Sequence, residues 1–171
     1  MTPQSPPESE HYRRLRDVFE RAPAFMATLR GPEHLFEMTN PSYQDLIGHR
    51  NAVGLPVAEA LPEVVGQGFI DLLDRVFASG EPFVGSEVPV QLRRGSGGTL
   101  EERVLNFVYQ PVPEPDGSVG GIFVHGVDVT ELVRAREQLQ AQARELEAQR
   151  RALESANALL DAFFQAAPVA A

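Results

Sequence analysis

Five β-patterned runs, two before and three after a cluster of short helical segments, predict an α+β body with helices at both flanks. Three observations carry this. Leu105, Phe107 and Tyr109 alternate with Val104, Asn106 and Val108, the period of a strand with two unlike faces. The last three runs are joined by turn-rich segments, Arg94 to Gly98 and Pro113-Glu114-Pro115-Asp116-Gly117, which suit an antiparallel meander and leave no room for crossover helices. Leucine then recurs at every seventh position, Leu132, Leu139, Leu146, Leu153 and Leu160, with no Gly or Pro between Glu131 and Ala167.

Met1 to Glu10 is polar, holds Pro3, Pro6 and Pro7, and reads as a disordered tail. His11 to Ala22 is the N-terminal flanking helix: Leu15, Val18, Phe19 and Ala22 share a face, and Pro23 stops it. The body runs from Pro23 to Thr130. Phe25 to Leu29 and His34 to Thr39 are strands joined by the turn Arg30-Gly31-Pro32-Glu33. Asn40-Pro41-Ser42 starts a helix, with Asn40 as cap and Pro41 in the first turn, and Gly48 breaks it. Asn51 to Gly68, rich in Gly and Pro, holds short helical turns and loop. Phe69 to Ala78 is a helix with Phe69, Leu72, Leu73 and Val76 on one face, ended by Ser79-Gly80. The last three strands are Phe83 to Leu92, Leu100 to Gln110 and Ser118 to Val129, and the heptad helix covers Glu131 to Gln165.

Composition works mostly by exclusion. At 43% hydrophobic, with ten Phe, the 171-residue chain can bury a core. It has no cysteine, which excludes disulfides, zinc–thiolate and iron–sulfur sites, thiol-adduct flavin photochemistry and cysteine-linked chromophores. All fifteen basic residues are arginine, so phosphate-loop and Schiff-base lysines are excluded as well. Gly66-Gln67-Gly68 and Gly95-Ser96-Gly97-Gly98 fit no phosphate-binding pattern and read as loops. There is no metal-ligand spacing, nucleophile motif or paired acid and base, so no catalytic or metal site is expected. Of the formal charge of −9, Glu131 to Gln165 carries −1, which leaves −8 on the rest and disfavours binding to nucleic acid. No apolar stretch approaches the roughly 20 residues of a membrane helix, so no membrane insertion is expected and the chain reads as cytoplasmic.

Asn40-Pro41-Ser42-Tyr43 before a short helix, Gly48 after it, and the ending Asp116-Gly117-x-x-Gly120 … Asp128-Val129-Thr130-Glu131 resemble a PAS domain. The version resembled occurs in bacterial sensor histidine kinases, and the resemblance covers Leu15 to Glu131. It implies a five-stranded antiparallel sheet with helices on one face, a ligand space between them, and signals that leave through the flanking helices. It also implies that Asp128 and Thr130 tie the outgoing helix to the sheet. Haem-binding members place a histidine on the helical face over the pocket, and Phe69 to Ser79 has none. His34 and His49 follow turns and read as exposed.

Candidate pocket residues are Phe69, Leu72, Leu73, Val76, Phe107, Tyr109 and Phe123, with Asn106 or Tyr109 as polar handle and His125 as the histidine to test. No cofactor is implied, and a small ligand of unknown identity is the open alternative to a filled core. Asp128 stands three residues before Glu131, the spacing of a capping box. Leucines at d place Val129, Arg136, Ala143, Arg150, Asn157 and Phe164 at a, a loosely packed seam in which Asn157 would set register in a parallel dimer. Leucines at a, with Ala135, Gln142, Gln149, Ala156 and Phe163 at d, are the other frame. Finally, Phe19-Glu20-Arg21-Ala22-Pro23 is echoed by Phe164-Gln165-Ala166-Ala167-Pro168, 145 positions on, so Ala166 to Ala171 reads as the start of a second PAS-like module.

The expectation is a sensory input and homodimerisation module of a two-component system, non-catalytic itself. It passes its signal along the helix to downstream domains of the same chain, first among them a histidine kinase. The alternative is a ligand-free interaction module that only sets geometry.

Overall fold

The computed structural model describes residues 10–94 and 97–168. Residues 1–9 of the proposed tail, the centre of the turn after Arg94 and the last three residues of the proposed second module lie outside them, while Glu10, expected in the tail, is the first residue of a helix. The chain divides after Thr130 into two compact units.

In the first unit α1 (Glu10–Arg21) precedes β1 (Phe25–Arg30) and β2 (Leu35–Thr39). Next come α2 (Pro41–Ile47), α3 (Val57–Ala60), a 3-10 helix at Pro62–Gln67, and α4 (Phe69–Ser79). Three long strands complete the unit: β3 (Phe83–Arg93), β4 (Leu100–Pro113) and β5 (Val119–Asp128). The sheet order is β2-β1-β5-β4-β3 and all pairings are antiparallel. This is the expected five-stranded PAS architecture. Each predicted element is present, with ends displaced by a few residues.

α2 forms for the reasons its sequence gives. Asn40 caps it through Oδ1, Pro41 sits in its first turn, and Gly48 ends it at φ 72°, where a Cβ would be strained. One face of the sheet is apolar: Phe25, Ala27 and Leu29 of β1, Leu105, Phe107 and Tyr109 of β4, and Ile122 and Val124 of β5 are buried. Against it lie Tyr43, Ile47, Leu61, Val64, Phe69 and Leu73 from the helical segments. Phe36, Ile47, Leu73 and Ile122 are under 2% exposed, and each such side chain contributes on the order of 1.5–3 kcal/mol. At Gly126 a Cβ would lie 2.3 Å from Asn106 O and 2.6 Å from Phe25 Cζ, so only glycine lets β5 run between its neighbours here.

Polar side chains lock the helical cluster to the sheet. Arg50 forms a two-pronged ion pair with Glu63, their side chains 10% and 3% exposed, and Glu63 also accepts from Arg93 N at 2.9 Å. Gln67 bonds Gln91 reciprocally, Oε1 to N at 2.8 Å and Nε2 to O at 2.9 Å, so the 3-10 helix is fastened to edge strand β3. Asn40, fully buried, accepts from Met26 N and Tyr43 N and donates to Phe19 O and Ala24 O. It thereby joins α1, β1 and α2.

One expectation is overturned here. His34 is not exposed: it is 3% accessible, bonds Asp74 of α4 through Nε2 at 2.7 Å, and meets Phe77 edge-on. The residue follows a turn, but α4 packs over that turn and covers it.

The second unit is the continuation of α5 (Thr130–Ala166), 37 residues and so about 55 Å long at 1.5 Å per residue. Leu132, Leu139, Leu146, Leu153 and Leu160 are between 54% and 69% exposed.

Candidate functional site

The space between sheet and helices contains a cavity of about 60 Å³. Phe69, Leu73, Phe107 and Tyr109 of the expected set line it. Leu72 and Val76 pack in or against the core beside it without lining it. Phe123 and His125 stack on each other with ring centroids 5.1 Å apart, on the opposite sheet face from Ile122 and Val124. Asn106 is also turned away: its Oδ1 accepts from Glu87 N at the β3 bulge. The other twelve of its sixteen lining residues were not in the expected set, and Tyr43 is the one of them with a polar side-chain atom.

Of the sixteen lining side chains, fourteen are pure hydrocarbon, and Tyr43 and Tyr109 supply the only polar atoms. Both residues are 8% exposed. Burial pushes the Tyr43 phenol up, with Arg50 pulling slightly the other way. Burial also pushes Tyr109 up, and the nearby Tyr43 adds to it. Both phenols are therefore neutral hydrogen-bond donors across the physiological range.

A polar cleft shares Phe25 and Leu46 with this cavity and is bordered by Arg103 and Asp128. Asp128 closes β5, and its Oδ1 accepts from Thr130 N at 2.9 Å and from the Thr130 hydroxyl, while Oδ2 pairs with Arg103 at 3.3 Å. Arg103 in turn pairs with Glu101 at 2.9 Å. The β4–β5 ladder ends at Leu105 opposite Asp128, yet Val129 N still bonds Val104 O at 2.8 Å. Thr130 Oγ1 then accepts from Val104 N at 2.9 Å, standing where the next carbonyl of a continued strand would stand. The chain turns helical while a side chain keeps its place in the sheet. The expected capping box is not formed: α5 begins at Thr130, so the Asp128 carboxylate takes the N–H of Thr130. Glu131 lies in the first helical turn and pairs with Arg134 at 3.6 Å.

On α5, Arg150 bonds Glu147 at 2.8 Å and Glu154 at 2.6 Å, and Arg151 bonds Glu147. Such i,i+3 and i,i+4 pairs add roughly 0.2–0.5 kcal/mol each to an exposed helix. They do nothing for the leucine stripe, which stays apolar and uncovered.

The family description of the PAS fold matches residues 19–134, well over half of the chain. This chain belongs to the PAS family. Among solved structures, an RNA-binding light-oxygen-voltage receptor resembles this PAS protein at TM-score 0.59 and 19% identity, over 88% of this chain and 42% of that one. The PAS domain of a Colwellia psychrerythraea protein matches at TM-score 0.57 and 13% identity, over 71% of this chain and 99% of that one. VqmA bound to DPO matches at TM-score 0.54 and 19% identity, over 68% and 57%. The chain thus spans less than two thirds of the receptor and of VqmA, and at these identities the likeness is one of fold. PAS domains are sensory and interaction modules, and no catalytic family is indicated for this one. Among the described residues no helix is long and apolar enough to cross a membrane, and no group of three or more metal-binding side chains occurs.

Proposed function

We propose that this PAS chain is a cytoplasmic sensory input and dimerisation module of a bacterial two-component protein. In this reading α5 pairs in parallel with its copy and relays the state of the sheet to a downstream histidine kinase. The observation that carries the reading is the Thr130 junction, where the first residue of a 37-residue helix is hydrogen-bonded into the sheet through Val104. A helix whose first residue takes a hydrogen bond from a strand is placed to respond to small movements of that strand. The exposed leucines supply the reason to dimerise, since a lone helix with such a stripe gains nothing from it in water. Phe25 and Leu46, shared by cavity and cleft, give the cavity a physical path to Asp128.

Two of the structurally similar proteins are described by a nucleic acid, an RNA-binding receptor and a Vibrio cholerae VqmA dimer in the absence of its target DNA. The −8 charge outside the helix argues against that role here. The other reading, a ligand-free geometry-setting module, shares this fold, and a stoichiometric molecule retained through purification separates the two.

Light scattering tests the assembly. The 171-residue chain is expected to be a dimer at micromolar concentration, weakened markedly by truncation after Thr130. A monomer at every accessible concentration, with α5 helical by circular dichroism, removes the coiled coil and with it the relay.

A further inference from the structure

The leucine stripe of α5 fits two heptad frames, and the structure favours one of them. With leucines at d, the first a position is Val129, which is only 9% exposed and bonded through its N–H to Val104 O. A seam does not begin on a residue that the body already holds. That frame also sets Arg136 and Arg150 at a, where each would meet its own copy across the axis. Arg150 is instead drawn sideways, its guanidinium bonded to Glu147 and Glu154 of its own helix. Flank e would then hold Glu147, Glu154 and Asp161, with no basic residue at g to face them.

With leucines at a, no charged side chain enters the seam, because d holds only Ala, Gln and Phe163. Leu132, Ala135 and Leu139 then border one open groove, in which the small Ala135 leaves room for a side chain from outside. The flanks are complementary as well. In a parallel pair, a g residue faces the e residue of the following heptad on the other helix. That rule sets Glu131 against Arg136, Glu145 against Arg150 and Leu159 against Phe164, and the remaining pairs are uncharged. Both charged pairs are opposite in sign, and the last joins two side chains that are each 72% exposed. An antiparallel pair would turn e toward e and g toward g, bringing arginines together and glutamates together.

We propose that α5 docks a second copy of this chain, parallel and in register, with its leucines at a and with Glu131 and Glu145 paired to Arg136 and Arg150 of that copy. A guanidinium carries more N–H groups than the bonds to Glu147 and Glu154 use, so Arg150 keeps those partners and still reaches Glu145. The proposal rests on the dimer reading above and goes further by naming the faces that meet and the charges that select the partner. A reversed copy, or a foreign helix with other charges at e and g, meets like charges along the same flanks.

The chain has no cysteine, so a single introduced thiol reports how close it lies to its own copy. A disulfide needs Cα atoms within roughly 7 Å of each other. Under mild oxidation of the 171-residue chain, Ala135→Cys, at d, should cross-link to a covalent dimer. Ala143→Cys, at e here and at a in the other frame, should cross-link several-fold more slowly. Charge exchange is the second arm, read by analytical ultracentrifugation at low salt. Glu145→Arg alone and Arg150→Glu alone should each weaken self-association roughly 10-fold. An equimolar mixture of the two should form the mixed dimer, in which both charge pairs are again opposite in sign. Two results overturn the proposal: Ala143→Cys cross-links as fast as Ala135→Cys or faster, or the mixture associates no better than either variant alone. A dimer with the wrong cross-linking pattern refutes the frame and leaves the relay standing, whereas a monomer at every concentration refutes both.

Discussion

Thr130→Val isolates the junction because it exchanges a hydroxyl for a methyl at almost constant volume. Thr130 is 1% exposed, so no solvent replaces what is lost. The substitution removes the acceptor of Val104 N and one donor to Asp128 Oδ1. An unsatisfied buried N–H costs about 1–3 kcal/mol. Asp128 retains Thr130 N and Arg103, so its share of the loss is small. The expected loss is about 2 kcal/mol, read as a shift in urea midpoint at unchanged slope. Asp128→Ala, at a side chain 30% exposed, should cost about 1 kcal/mol, as for a lost helix cap. Because the two residues share a hydrogen bond, the double variant should lose less than the sum, by about 0.5–1 kcal/mol. Both single variants should remain folded and dimeric, while the parent protein's output stops following its stimulus. If Thr130→Val stays within about 0.5 kcal/mol of wild type and transmits normally, the junction is only a linker. The route would then run through α1.

Three further outcomes are expected. Glu63→Gln leaves the Arg50 guanidinium nearly buried without its counter-charge and should cost about 3 kcal/mol in chemical denaturation, whereas Arg50→Met with Glu63→Leu should recover most of it. Burial alone would raise the Glu63 carboxyl, but hydrogen bonds from Arg50 and Arg93 N outweigh it and hold its pKa below the ordinary 4.5. Its stabilisation is thus complete above that value and lost as pH falls through the lowered folded pKa, so wild type and Glu63→Gln should converge in stability on acidification. Asn40→Ala strips a partner from four backbone groups, one of them in a buried and three in part-buried hydrogen bonds, and should cost about 3 kcal/mol, measured by thermal melting. Natively purified protein should show neither Soret nor flavin absorption; a stoichiometric visible chromophore would redirect attention to the buried His34 as well as to His125.

What the sequence disclosed follows from which forces are local. Asn40, Pro41 and Gly48 act within one helix turn, so α2 was legible to the residue. The alternation put Leu105, Phe107 and Tyr109 on one face of β4 and Val104, Asn106 and Val108 on the other, and the same alternation rules out Asn106 as a pocket handle beside Tyr109. β5 offered no such contrast. Val119 to Val127 is apolar or glycine at nearly every position, so nothing local distinguished its two faces: Phe123 was placed in the pocket wrongly and His125 could face either way, and neither lines the cavity. Tyr43 was missed because Pro41–Ile47 is too short and too polar to display a stripe, and its inward turn is set by contacts with Phe25 and Phe36. His34 was misjudged for a related reason: Asp74, which holds it, is 40 positions away, beyond any periodicity.

The register of β1 against β5 pairs Phe25 with Gly126, so the residue that opens the sheet lies beside the residues that close it. The points where the chain joins and leaves the body are therefore separated by little more than one strand spacing, roughly 5 Å. A body attached in this manner behaves as a detachable bead on a continuous thread. It can be spliced between two helical stretches of a longer protein, or duplicated in series, with little change in the path of the host chain. Within α5 itself a one-residue insertion should be worse tolerated than a seven-residue one, because only the latter restores the seven-residue leucine spacing.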